Sequence, residues 1–79
     1  MLDNAVMVGN IPVIEYWEAV YKNSPDPIVD VMTEEALAFA KHRYKKHPEE
    51  RSFQKDIIKI LKGVMQSRQE KKKVGNAGK

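Results

Sequence analysis

Between Ser52 and Arg68 the chain reads SFQKDIIKILKGVMQSR, and this stretch limits the fold more than any other. Wound at about 3.6 residues per turn, it places Phe53, Ile57, Ile58, Ile60, Leu61, Val64 and Met65 within an arc of roughly 160°. Arg51, Lys55, Asp56, Lys59, Lys62 and Gln66 fill the other side. A strand is excluded, because Ile57, Ile58, Ile60 and Leu61 do not alternate. Each large side chain on the stripe contributes about 1.5–3 kcal/mol when fully buried. Seven of them make this the largest source of burial in the chain. Gly63 falls on the outer face, where it costs about 1 kcal/mol against alanine. The spacing predicts a last helix over residues 49–69 with its oily side inward.

Prolines divide the rest. Asn10-Ile11-Pro12 is a helix start, with Asn10 as cap and Pro12 in the first turn. Val13, Trp17, Val20 and Tyr21 then recur at helical spacing, and Ile14 and Tyr16 widen the stripe, giving a first helix over 12–22. Ser24-Pro25-Asp26-Pro27 is the clearest break, since two prolines so close cannot lie inside a helix. Beyond it Ile28, Val31 and Met32 share a face. Thr33-Glu34-Glu35 is a second start signal, a hydroxyl cap followed by acids. A short helix followed by a longer one over 34–46 is therefore preferred to one continuous helix. His47-Pro48-Glu49-Glu50 separates this element from the last. Residues 1–10 are expected to form an irregular arm, or a brief strand paired with a second copy. Residues 70–79 lack apolar spacing and read as a disordered basic tail.

The expected fold is all-α: a small bundle of three main helices plus one short helix, one domain over 1–69 and the tail over 70–79. Trp17, Phe39, Phe53, Ile57 and Leu61 should meet in its core. Short connections favour antiparallel neighbours. At 79 residues and 42% hydrophobic content the chain is expected to form one globular domain. So small a core leaves a thin margin, which favours a homo-oligomer or an obligate partner. Without cysteine there are no disulfides, thiolate metal sites or thiol catalysis. No apolar run approaches the roughly 20 residues that span a bilayer. Nor does the start carry the positive segment of a secretory signal. The expected location is cytoplasmic.

Reactive constellations are lacking. His42 and His47 are five apart, off the i, i+4 spacing that aims two ligands from one helical face. Asp26 and Asp30, Glu34 and Glu35, and Glu49 and Glu50 sit at helix starts, where capping accounts for them. The four glycines make no phosphate loop, and the serines lack a nucleophile context. No enzyme, cofactor, metal or small-molecule substrate is expected.

Charge is the one feature that asks for a partner. Residues 1–40 hold seven acids against one lysine, net −6; residues 41–79 hold thirteen Lys or Arg against four acids, net +9. The halves can attract each other within the fold or present opposite ends to a partner. Lys41, Arg43, Lys45 and Lys46 crowd one helix end, and Arg51, Lys55, Lys59 and Lys62 line the outer side of the last helix. These eight, with Tyr16 as an aromatic anchor, are the candidate partner-binding residues. The leading expectation is a small regulatory protein, in proportions like those of phage or host regulators, that binds and inhibits another protein. A second is DNA or RNA binding by the basic half, in a loosely helix-turn-helix arrangement with Arg51, Gln54 and Lys55 near the second helix start. A third is a peripheral role on an anionic membrane surface, modulating a membrane protein in an antiholin-like way.

Overall fold

The structure, a computed structural model, describes residues 2–77, with side chains described through residue 70. It is all-α, with four helices: α1 (Leu2–Val8), α2 (Ile11–Tyr21), α3 (Ile28–Lys46) and α4 (Arg51–Ala77), a 3-10 turn (Pro48–Glu50) leading into the last. The described residues contain no strand. α3 and α4 form the main antiparallel pair. α2 packs on α4, and α1 lies against α3 and α2.

The arm expected at residues 1–10 is a helix. Leu2, Ala5 and Val6 follow helical spacing and all three are buried. The turn that ends α1 closes on itself: Asn10 N–H donates to Ala5 O at 2.8 Å and Gly9 N–H to Val6 O at 3.3 Å. That pair of bonds needs a left-handed residue between them, and Gly9 supplies it with φ of 71°. A side chain at Gly9 would also strike Phe53, whose ring carbon lies 2.6 Å from where a Cβ would sit.

α2 starts where its cap predicts, Val13 N–H donating to Asn10 Oδ1 at 3.4 Å. Its inward face is turned from the expected stripe: Ile14 and Trp17 are buried, whereas Val20 is exposed. The expected division of the next segment at Thr33 does not occur. α3 opens instead after Asp26, whose Oδ1 accepts from Ile28 N–H at 3.0 Å. Thr33 is fully buried inside α3, and its Oγ1 accepts the Trp17 indole N–H at 3.0 Å. Its hydroxyl is therefore a core partner rather than a cap. α3 stops at His47, held extended (φ −126°, ψ 85°) as the residue before a proline generally is.

Val6, Ile14, Trp17, Ile57, Leu61 and Val64 fill the centre, closed on the α3 side by Val29, Ala36 and Ala40. The two alanines let the α3 and α4 backbones approach closely. Of the five residues expected to meet in the core, Trp17, Ile57 and Leu61 are buried, while Phe39 and Phe53 pack half-buried at its border. α4 exceeds the expected 49–69 span. The tail expected at 70–79 falls, but for Glu70, outside the residues whose side chains are described.

Candidate functional site

Two polar clusters fix the bundle, and neither was apparent as a cluster in the sequence. Arg68, in the seventh position after Leu61, falls on the oily side of α4 and is buried. All five of its N–H donors are used. Nε donates to Asp30 Oδ1 (2.6 Å), Nη1 to Tyr21 O (2.9 Å) and Ser24 O (2.6 Å), and Nη2 to Asp26 O (3.0 Å) and Asp30 Oδ2 (3.4 Å). One side chain thus gathers three carbonyls of the α2–α3 corner onto α4, two of which, Tyr21 O and Asp26 O, also accept a backbone N–H.

The second cluster joins α3, the 3-10 turn and α4. Arg43 meets Glu50 through both arms, Nε to Oε1 at 2.8 Å and Nη2 to Oε2. Gln54, fully buried, donates from Nε2 to Glu50 Oε1 (3.0 Å) and to Val6 O (2.8 Å), tying in α1. The Arg43 hydrogen bonds hold the Glu50 carboxyl down at about 2, against the 4.5 of an unperturbed group; burial opposes this, and Gln54 and His47 reinforce it. The same bonds raise Arg43 above its ordinary value. His47, Glu49 and Glu50 also lie close enough to suggest a cation site. Glu50, however, already faces Arg43, and His47 Nδ1 lies 3.3 Å from Glu49 Oε2. These three residues cannot hold a metal without setting its charge against the guanidinium.

The candidate partner-binding residues separate into two groups. Arg43 is committed to Glu50. Arg51 donates from Nε to Tyr44 O at 3.0 Å and lies over the Tyr44 ring. Lys41, Lys45, Lys46, Lys55, Lys59 and Lys62 are exposed and pair with no carboxylate of the described residues. Lys55, Lys59 and Lys62 share the outward side of α4, opposite Ile57, Leu61 and Val64. Gln54, considered as a base reader, is buried and points the other way. Tyr16 is 64% exposed on α2, one turn from exposed Val20.

Between the described residues the two halves of opposite charge neutralise each other little. Arg68–Asp30 is the one ion pair between them among the described residues. The acidic half also carries most of the uncovered apolar surface: Met7, Val8, Tyr16, Val20, Ile28, Val31 and Met32. Spacing alone could have located Arg68 and Gln54, polar residues in register with the core stripe. The exposure of Ile28, Val31 and Met32 left no such signal, because an apolar helical face is ordinarily a buried one. Compared with known proteins, the chain matches no family model, no curated protein and no solved structure.

Proposed function

We propose that this chain is a non-catalytic regulatory protein that acts by binding another protein and inhibiting it. The observation that carries the reading is the uncovered apolar surface on the acidic half, chiefly Ile28, Val31 and Met32 of α3, which are 51%, 52% and 36% exposed. Single exposed apolar residues are ordinary, but a contiguous set marks an interaction surface. The acid–base clusters described above are consumed in holding the fold. A photo-crosslinking residue placed in vivo at position 31, and separately at position 59, tests the reading. A protein adduct in stoichiometric yield at either position supports it; none at either position overturns it.

A second reading rests on the lysines of α4. Lys55, Lys59 and Lys62 share one face and pair with no carboxylate of the described residues, the arrangement that neutralises phosphates. A complex with DNA or RNA that forms at low salt and weakens steeply as salt rises would favour it over protein binding.

A further inference from the structure

α3 carries two apolar faces. The inner one, Val29, Thr33, Ala36 and Ala40, is buried in the core. On the outer one Ile28, Val31 and Met32 stand at i, i+3 and i+4, with Glu35 at i+7, and all four are exposed. This is the spacing of a seam against which a second helix packs. Beside it lies a shallow depression lined by Leu2 and Asp3 of α1 and by Met32 and Glu35 of α3. Asp3, Glu34 and Glu35 pair with no cation of the described residues. Apolar ridge and unpaired carboxylates therefore occupy adjoining ground.

We infer that this seam is the docking surface for a basic amphipathic helix of a partner protein. The inference rests on the regulatory-protein reading and specifies the partner's chemistry. Apolar residues of the incoming helix cover Ile28 and Val31. An arginine or lysine beside them enters the depression, its methylene stem against Leu2 and Met32 and its cation between Asp3 and Glu35.

Charge selects this occupant over a second copy. A symmetric dimer through the seam would set the same patch against itself, bringing Asp3, Glu34 and Glu35 of one copy towards those of the other. Nor does α4 of a second copy fit. Its lysines face outward, but its apolar residues Ile57, Leu61 and Val64 are fully buried in their own core. What fits is an apolar stripe with lysines or arginines along its edges, carried by a different chain.

The test uses the full chain and two synthetic helical peptides of about 18 residues, or five turns. Both carry leucines at the same seam positions. One has Lys and Arg elsewhere, the other Glu. The expected result is binding of the basic peptide, with amide shifts in NMR centred on Asp3, Ile28, Val31, Met32 and Glu35. The acidic peptide should bind at least about tenfold more weakly. Glu35→Lys should weaken the basic peptide about tenfold, a step of about 1.4 kcal/mol. Val31→Asp should abolish binding, Val31→Ile should retain it, and Gln66→Glu, at an exposed position of α4, should leave it unchanged. Circular dichroism and thermal melting of each variant separate lost binding from lost fold. Equal binding of the two peptides, no binding of either, or shifts confined to α4 would overturn the inference. So would a doubled mass by light scattering that Val31→Asp reverses, since a second copy would then own the seam. A stoichiometric crosslink at position 59 alone would leave the regulatory reading standing while removing this one.

Discussion

At the scale of single residues, the bundle depends on side chains that break the pattern around them. Arg68 is a cation in the oily stripe of α4, and its removal takes one partner from Asp30 and the donor from Ser24 O, while Tyr21 O and Asp26 O keep only the backbone N–H groups of Ser24 and Val29. Breaking a fully buried pair costs about 3–5 kcal/mol, and Asp30, 22% exposed, puts this one near the lower end. Urea denaturation of Arg68→Ala should show that loss; Arg68→Lys should recover only part of it, because three donors on one nitrogen cannot reproduce a planar fork. Glu50 gives a pH signature. Its carboxyl titrates near 2 in the folded chain and near 4.5 when unperturbed. The Arg43–Glu50 contribution is therefore complete above about pH 4.5 and is lost as pH falls towards 2. The melting temperatures of wild type and Glu50→Gln, followed from pH 7 to pH 2, should converge within that window. A constant gap would mean that the pair is not what Glu50 contributes. At Gly9 an alanine meets both an unfavourable φ and the Phe53 ring. Gly9→Ala should cost about 1 kcal/mol for the backbone alone, and more with the clash, read as a lowered urea midpoint.

At the scale of elements, the sequence pattern gave away the helices whose apolar spacing is long and hid those whose reason to form is tertiary. α4 and α2 were legible from periodicity and from the Asn10–Pro12 start. α1 was not, because a seven-residue helix is unstable in isolation. What makes it helical is the burial of Leu2, Ala5 and Val6 against α2 and α3. The division expected at Thr33 failed for a related reason. A threonine before two glutamates is locally a cap, and only the position of Trp17 on another helix turns it into a buried acceptor. The same limit applied to the candidate site. The lysines of α4 could be placed outside by spacing, whereas the docking seam on α3 requires knowing which of two apolar faces the core takes. If α1 is integral to the bundle, Leu2→Ala should cost about 2–3 kcal/mol. An arm laid loosely on the surface would lose almost nothing in the same unfolding experiment.

At the scale of the whole molecule, the chain is electrically lopsided, with a net of −6 over its first forty residues and +9 over the rest. One ion pair among the described residues spans the divide. The uncovered lysines repel one another, and that repulsion is screened over about 10 Å at 0.1 M salt. Thermal stability should therefore rise between roughly 0.01 and 0.15 M salt, and Lys59→Glu should raise it at the lower concentration while flattening the salt dependence. A stability indifferent to salt would mean that the two poles compensate across the fold after all. The Arg68 knot has a consequence for how the molecule breathes. The corner after α2, the first turn of α3 and the distal part of α4 are clasped by one guanidinium, so none of them can open without releasing the others. In native-state hydrogen exchange the protected amides of these three regions should share a single opening free energy, although some forty residues of chain lie between the segments that open together.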